Sequence, residues 1–201
     1  LLRALRRATP PRALVYGSTS GVYGDQGGRW IDETAPLRTH TPRALRRVDA
    51  ERQLRRPARG GTLRARILRI PGIYAPDREG GTPEARLRRG TPVLAAPDDV
   101  YTNHIHADDL ARALIAALWR GAPARVYNAC DDTELKMGDY FDFAADRYGL
   151  PRPPRIARAA AHEQLSPLQL SFMSESRRLL NQRLKQELGL RLRYPTVATG
   201  L

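Results

Sequence analysis

The segment ALVYGSTSGVYG at residues 13–24 constrains the fold most, because an apolar run ends there in a cluster of hydroxyl side chains. Residues 12–16 are short and apolar enough to predict a buried strand. Ser18, Thr19 and Ser20 follow within the next four residues. Three hydroxyl groups therefore stand directly after a segment that we expect to lie in the core.

Predicted strands and helices alternate along the chain. We predict strands at residues 12–16, 63–70, 93–94, 100–106 and 126–130. We predict helices at residues 1–7, 42–56, 82–90, 108–121, 137–148 and 174–188. Pro57 and Gly60–Gly61 are expected to end the second of these helices. The alternation favours an α/β protein with a largely parallel sheet, and after about residue 80 the shorter elements indicate a second, smaller lobe.

The charge is strongly positive, with a formal net charge of +13 and an isoelectric point near 10.9. Lysine occurs only at positions 136 and 185, so 32 of the 34 basic residues are arginine. This bias is typical of a GC-rich, bacterial-like genome. Because no basic block is interleaved with aromatic residues, we predict that nucleic acid is not a partner.

Neither the apolar runs nor the cysteine content indicates export or membrane insertion. No apolar run reaches the roughly 18 residues that a membrane span needs, and the chain does not start with a charged and then apolar signal segment. Cys130 is the single cysteine, so it has no partner for an internal disulfide. We therefore predict a cytoplasmic protein.

Five segments occur in an order that resembles the extended short-chain dehydrogenases/reductases, also called NAD-dependent epimerase/dehydratases. The segments are VYGSTSGVYGD (15–25), DETAP (32–36), VDAERQL (48–54), LRIPGIYAP (68–76) and NHIHADDLARAL (103–114). The resemblance implies a partial Rossmann-like parallel sheet with a smaller α/β substrate lobe. The NAD(P)-binding domain would hold residues 1–80 together with later strands, and the substrate lobe mainly residues 81–201. It also implies NAD or NADP as cofactor.

Members of this family open with a Gly-rich turn, G-x-x-G-x-x-G, whose backbone N–H groups meet the cofactor pyrophosphate. This chain does not open with such a turn, and Leu1 falls inside a helix-like pattern. We therefore expect four strand–helix units, about 100 residues, to precede Leu1.

The resemblance places the catalytic Ser/Thr of the family at Thr19, with Ser18 beside the cofactor and Ser20 beside the substrate. The Tyr and Lys that usually follow on the next helix fall on Arg43 and Arg47. Arginine stays protonated at neutral pH, so Arg43 cannot act as a general acid or base. Arg47 keeps a cation that could bind cofactor ribose or phosphate oxygens. Shifting the alignment does not help, because residues 31–70 contain neither Tyr nor Lys.

Two residues near the hydroxyl cluster could supply the missing proton. We predict Tyr23 in this role, and His40 is the other candidate because imidazole titrates near neutral pH. Binding of a dinucleotide without the usual chemistry is a further alternative.

Other candidate residues lie in the LRIPGIYAP and NHIHADDLARAL segments or later in the chain. The resemblance places Pro71, Gly72 and Ile73 beside the nicotinamide, and Asn103 and Arg177 beside the substrate. Arg177 falls on the last predicted helix, whose basic side chains face either substrate phosphates or solvent. His104, His106 and Asp108 are too few and too close in sequence to indicate a metal site, so we predict no metal.

We therefore expect an NAD(P)-dependent epimerase, dehydratase or reductase that acts on a small molecule, either a sugar nucleotide or another carbonyl or hydroxyl compound. The alternative is a non-catalytic dinucleotide-binding sensor or scaffold, because of Arg43 and Arg47. A basic nucleic-acid-binding module is a third class. The resemblance also predicts a homodimer through the helix at residues 42–56.

Overall fold

A computed structural model describes residues 13–61 and 63–201, and the predicted helix at residues 1–7 lies outside these ranges. The strands are β1 (Leu14–Thr19), β2 (Trp30–Ile31), β3 (Ala65–Ile70), β4 (Gly72–Tyr74), β5 (Val93–Leu94), β6 (Tyr101–Thr102), β7 (His104–His106), β8 (Val126–Asn128), β9 (Leu135–Lys136), β10 (Arg155–Ile156) and β11 (Arg178–Leu179). The α-helices are α1 (Pro42–Arg59), α2 (Glu84–Arg88), α3 (Ala107–Arg120), α4 (Met137–Tyr148), α5 (Arg158–Gln164), α6 (Pro167–Phe172), α7 (Gln182–Gln186) and α8 (Val197–Gly200).

A three-stranded parallel sheet in the order β1-β3-β8 forms the centre of the described chain. β1 and β3 pair over six consecutive residues, from Leu14 opposite Ala65 to Thr19 opposite Ile70. β8 pairs with the other side of β3. The carboxyl ends of the strands therefore meet at one edge, as the sequence predicts for a parallel sheet.

Two helices cover the sheet on opposite faces, because successive strand residues point to opposite sides. Leu14 of β1 and Ala65 of β3 pack against Leu54 of α1. Val15 of β1 and Leu68 of β3 belong instead to the core that includes α3. β3 is therefore buried on both faces, and β1 at the edge of the described sheet is mostly half-buried.

A buried ion pair joins α1 to the sheet. The Arg69 guanidinium lies 2.7 Å from the Glu51 carboxylate, and each side chain is 2% exposed. Ser18 donates a hydrogen bond to Glu51 over 2.6 Å, and the Arg69 guanidinium stacks over the Tyr23 ring at 4.7 Å. Tyr23 in turn donates to the Asn128 side chain at the end of β8 over 2.6 Å. These contacts connect the ends of all three strands, and we call the five residues the strand-end clamp.

The smaller elements pack at the carboxyl side of the sheet. Tyr140 and Phe141 of α4 form a core with Leu87 of α2 and Val93 of β5. Pairs of short strands hold this region together: β5 with β10, β4 with β7, and β2 with β11 in parallel, and β6 with β9 antiparallel. None of the helices within residues 13–61 and 63–201 is long and apolar enough to cross a membrane.

The predicted last helix, residues 174–188, is wrong. Within it, Arg178–Leu179 forms a strand beside β2, and the Ser176 carbonyl accepts the backbone N–H groups of Gln26 and Gly28 at 3.0 Å each. The segment is therefore held extended by backbone groups that lie some 150 positions earlier in the chain. Only the short helix α7 remains of the prediction.

The predicted strand at residues 100–106 is interrupted at Asn103. The Asn103 amide donates to the Arg177 carbonyl and its oxygen accepts the Leu179 N–H, both at 2.9 Å. These bonds tie Asn103 to the segment that forms β11. The single predicted strand therefore becomes β6 and β7, which pair with different partners.

Two further boundaries differ from prediction. α1 continues past Pro57 to Arg59, because a proline removes only its own backbone donor and does not by itself stop the last turn. The strand predicted at residues 12–16 extends to Thr19, and the short strand β2 follows before α1.

We predict that Glu51→Ala lowers the free energy of unfolding by about 3–5 kcal/mol, because it leaves the Arg69 cation buried without its carboxylate. Equilibrium denaturation in urea measures the change. Asp49→Ala, an exposed site on the same helix, is the matched control and should cost below about 1 kcal/mol. The double change Glu51→Leu/Arg69→Met should recover much of the loss, and equal unfolding midpoints for Glu51→Ala and the control would contradict the account.

Asp131, which follows β8, predicts a pH-dependent stability. Burial raises its pKa to about 7, and its Oδ2 atom has no hydrogen-bond partner within the described residues. Folded Asp131 therefore holds a proton between about pH 4 and 7 that the unfolded chain has lost, so stability falls as pH rises through this window.

The change Asp131→Asn removes the titrating group. We expect this variant to match the wild type at pH 4 and to exceed it at pH 8 by about 1–3 kcal/mol in urea denaturation, because no carboxylate has to be charged in the core. The exposed Asp77→Asn should leave the wild-type pH dependence unchanged. A variant no more stable than the wild type at pH 8 would show that folded Asp131 ionises normally.

Candidate active site

A cavity of about 440 Å³ lies where β1 and β3 end. Its walls come from the loop after β1, the start of α1, the loop after β3, and the elements α2, β6, β7 and α4. Among the residues that line it are Thr19, Ser20, Arg43, Pro71, Gly72, Ile73, Tyr74, Arg86, Tyr101, Asn103, His104, Tyr140, Phe141, Phe172, Glu175 and Arg177. The cavity therefore joins the sheet to the smaller elements.

Seven of the ten sequence-predicted site residues line this cavity. They are Thr19, Ser20, Pro71, Gly72, Ile73, Asn103 and Arg177. The parallel register explains why Thr19 and Ser20 meet Pro71, Gly72 and Ile73, because Thr19 lies opposite Ile70, the residue before Pro71. The remaining three, Ser18, Tyr23 and Arg47, do not line the cavity.

The Thr19 hydroxyl lies at the carboxyl end of β1. Thr19 has extended backbone angles, and its Oγ1 accepts the Gly21 N–H at 3.2 Å, which caps the 3₁₀ turn Ser20–Tyr23. This bond uses an acceptor site of the oxygen and leaves the hydroxyl proton for another partner. Thr19 can therefore donate a hydrogen bond to a ligand oxygen in the cavity.

Ser18 and Tyr23 belong to the strand-end clamp. The Ser18 hydroxyl donates to Glu51, and the Tyr23 hydroxyl donates to Asn128. Burial raises the pKa of Tyr23 to about 12, and the side chain is fully buried. Neither side chain lines the cavity, and both are held by hydrogen bonds of the clamp. The catalytic role of Tyr23 and the cofactor contact of Ser18 stay predictions.

The two arginines at the positions of the family's Tyr and Lys have different surroundings. Arg47 is exposed and donates to the Tyr16 hydroxyl at 3.0 Å, outside the cavity, so its contact with a cofactor stays a prediction. Arg43 lines the cavity, and its guanidinium lies 5.0 Å from the Phe172 ring centre. The sequence signal for Arg43 was its place in the alignment, where a tyrosine is usual.

His104 is a cavity residue that the sequence analysis considered only for metal binding. Burial lowers the pKa of His104 to about 3, so the ring is neutral at pH 7, and its Nε2 atom is buried without a hydrogen-bond partner. His106 instead stacks on Tyr194 at 3.8 Å and accepts the Asp108 N–H at the start of α3. The described residues contain no group of three or more His, Cys, Asp and Glu side chains that could hold a metal ion.

The cavity residues fit the nicotinamide end of a dinucleotide. We call Pro71 and the first two residues of β4, Gly72 and Ile73, the Pro71–Ile73 loop. It lines the same cavity as Thr19 and adds the apolar side chains of Pro71 and Ile73. These are the features expected beside a flat aromatic ring that reacts with a hydrogen-bonded substrate.

A Gly-rich segment at residues 21–27, GVYGDQG, has the G-x-x-G-x-x-G spacing, but its structure does not suit a pyrophosphate. Such a motif binds phosphate because it opens an α-helix. Here a short 3₁₀ turn and a loop follow, and the next α-helix begins at Pro42. We therefore do not assign residues 21–27 to the cofactor.

Comparison with known proteins confirms the fold. A structure of a functionally unknown conserved protein from Silicibacter pomeroyi is 37% identical, with a TM-score of 0.85 over 99% of this chain and 70% of that chain. RMD from Pseudomonas aeruginosa, complexed with NADPH, is 17% identical with a TM-score of 0.71, covering 95% of this chain and 65% of that one. MoeE5 in complex with UDP-glucuronic acid and NAD is 22% identical with a TM-score of 0.77, covering 100% and 65%. No curated protein matches the chain.

These findings confirm the predicted Rossmann-like α/β fold. The family whose model matches the chain is described as NAD dependent, in agreement with the predicted cofactor class, NAD or NADP. The division at residue 80 stays a prediction. The chain spans about two thirds of the length of the solved structures named above. The profile described as the NAD dependent epimerase/dehydratase family matches residues 1–130. With this match, and with a relative that is 37% identical over 99% of this chain, the chain belongs to the NAD-dependent epimerase/dehydratase family.

Proposed function

We propose that the protein is an NAD(P)-dependent oxidoreductase of the epimerase, dehydratase or reductase type, acting on a sugar nucleotide or another carbonyl or hydroxyl compound. The observation that carries this proposal is the cavity in which Thr19 and the Pro71–Ile73 loop meet. Family membership supports it. So do the ligands of the structural relatives, which include NADPH in one and NAD with UDP-glucuronic acid in another.

The residues of the cavity divide the work of binding and orientation. A bound nicotinamide supplies or accepts a hydride. Thr19 donates its hydroxyl proton in a hydrogen bond to the substrate oxygen while the Gly21 N–H fixes the Thr19 oxygen. The Pro71–Ile73 loop covers one side of the ring. Asn103 acts as a positioning residue, because its amide holds the segment that carries Arg177.

Proton transfer is the step that the family's usual Tyr and Lys cannot supply here, because Arg43 and Arg47 stand at their positions. Arg43 stays charged, so it can stabilise negative charge on an oxygen but cannot take up a proton. Tyr74 and Tyr140 line the cavity, but burial raises the pKa of each well above its usual value. The second candidate function, a dinucleotide-binding protein without turnover, follows from this observation.

Titration with NADH and NADPH, followed by turnover assays at 340 nm on a panel of sugar nucleotides and hydroxy acids, separates the two functions. Cofactor binding with turnover supports the enzyme, whereas binding without turnover on any compound supports the non-catalytic protein. Binding of neither cofactor would contradict both.

Two expectations from the sequence stay predictions. One is a homodimer through the helix at residues 42–56, where Leu45 is half exposed. The other is a cytoplasmic location.

For the enzyme, we predict that Thr19→Val lowers kcat by about 100-fold or more, because the substrate oxygen loses a donor that strengthens in the transition state. The dissociation constant for NADH, measured by fluorescence titration, should change less than about twofold, since the hydroxyl faces the substrate. Thr19→Ser keeps both the hydroxyl and the bond to Gly21 and is the matched control. Wild-type kcat in Thr19→Val would remove Thr19 from the reaction.

A further inference from the structure

Arg86 of α2 lines the cavity without the partners that a buried guanidinium usually has. Its Nε and Nη2 atoms are buried and make no hydrogen bond to the described residues. None of the ion pairs found within those residues includes Arg86. The Phe141 ring packs against one face of the guanidinium, with its centre 4.3 Å away.

This arrangement is costly if it serves only the fold. Burial, followed by the charge of Arg89, lowers the pKa of Arg86, yet an arginine stays protonated at neutral pH. Arg86 is half-buried, and its two buried N–H groups lose their hydration without gaining a hydrogen bond, so an apolar side chain of similar length would pack there at lower cost. An anionic ligand would supply the missing acceptors.

Positive charges outnumber negative ones among the residues that line the cavity. Arg43, Arg86 and Arg177 line it, and Glu175 is the single carboxylate among its lining residues. Arg177 is held in place by bonds from Nη1 to the Gly24 carbonyl and to Glu175, at 3.0 and 2.8 Å, and its buried Nε atom has no partner among the described residues. Two arginines of the cavity therefore keep unused N–H groups.

We infer that the cavity binds a ligand that carries an oxyanion, a carboxylate or a phosphate, held by the Arg86 guanidinium. The aromatic side chains of Tyr140 and Phe141 cover the carbon skeleton, and the neutral His104 ring offers its free Nε2 atom to a ligand hydroxyl. This inference rests on the proposed function only in taking the ligand to be the substrate.

Calorimetric titration of the wild-type protein with three compounds that share a six-carbon skeleton tests the inference. D-glucose 6-phosphate carries a phosphate, D-gluconate a carboxylate, and D-glucose no charge, and ionic strength is held constant with sodium chloride. At least one acid should bind about tenfold or more tightly than glucose, as expected for hydrogen bonds between charged partners. The acid that binds identifies the group, and two acids no tighter than glucose would overturn the inference.

Arg86→Met removes the guanidinium and keeps the apolar length of the side chain. It should lose the preference for the acid by about tenfold or more. Arg89→Met, an exposed arginine three residues further that does not line the cavity, is the matched control and should keep it. Undiminished acid binding in Arg86→Met would overturn the assignment.

A chemical measurement on the wild type covers the case in which Arg86→Met fails to fold. Phenylglyoxal modifies accessible arginines, and mass spectrometry of the digested protein identifies them. The acid that binds should slow modification of Arg86 and leave Arg89 unaffected, and equal rates with and without it would count against the site. NADH binding and turnover in the same preparations separate the anion-binding inference from the proposed function. Intact cofactor turnover without acid preference overturns only the anion-binding inference. Acid binding without cofactor binding overturns only the proposed function.

Discussion

The register of β1 on β3 is the constraint on which the candidate site depends. Because Thr19 lies opposite Ile70, the hydroxyl cluster and the Pro71–Ile73 loop leave the sheet at the same edge. A slip of one residue would turn every side chain of β1 to the other face and move Thr19 away from the cavity. The register also pairs Ser18 with Arg69, and Glu51 contacts both of them. A single buried carboxylate of α1 therefore binds the two strand residues that this register brings side by side.

The strand-end clamp explains why two polar residues next to the cavity, Ser18 and Tyr23, do not line it. Ser18 and Tyr23 occupy the same motif as Thr19, and both are buried on contacts that join strand ends. Tyr23 connects to Asn128 at the end of β8, so the clamp reaches the third strand. Ser18 and Thr19, which are adjacent on β1, thus divide between holding the sheet and facing the cavity, because successive side chains of a strand point to opposite sides.

Local patterns in the sequence predicted the central elements of the fold. The apolar run before Gly17, the run at residues 63–70 and the acids that begin α3 act through their near neighbours, so the strands and helices there match the structure closely. The segment at residues 174–188 does not. Its leucines have helical spacing, but backbone bonds to Gln26 and Gly28, far away in the chain, hold its first half extended. Such competition between local spacing and distant pairing cannot be seen in one segment alone.

The site was predicted where a motif marked it and missed where only burial does. Thr19 and Pro71 lie in motifs that can be aligned. Arg86 stands in a short stretch with Arg88 and Arg89, and nothing in the sequence distinguishes the one arginine that turns towards Phe141. The unpaired N–H groups of Arg86 become visible only in the folded chain, as does the hydrogen bond of Tyr23 to Asn128.

The most direct test of the account is a crystal structure of the protein with bound NAD or NADP. The account predicts that the nicotinamide ring lies against the Pro71–Ile73 loop with its reacting carbon open to the cavity, and that the Thr19 hydroxyl faces the same space. A nicotinamide bound outside this cavity, or a Thr19 hydroxyl turned away from it, would contradict the central claim.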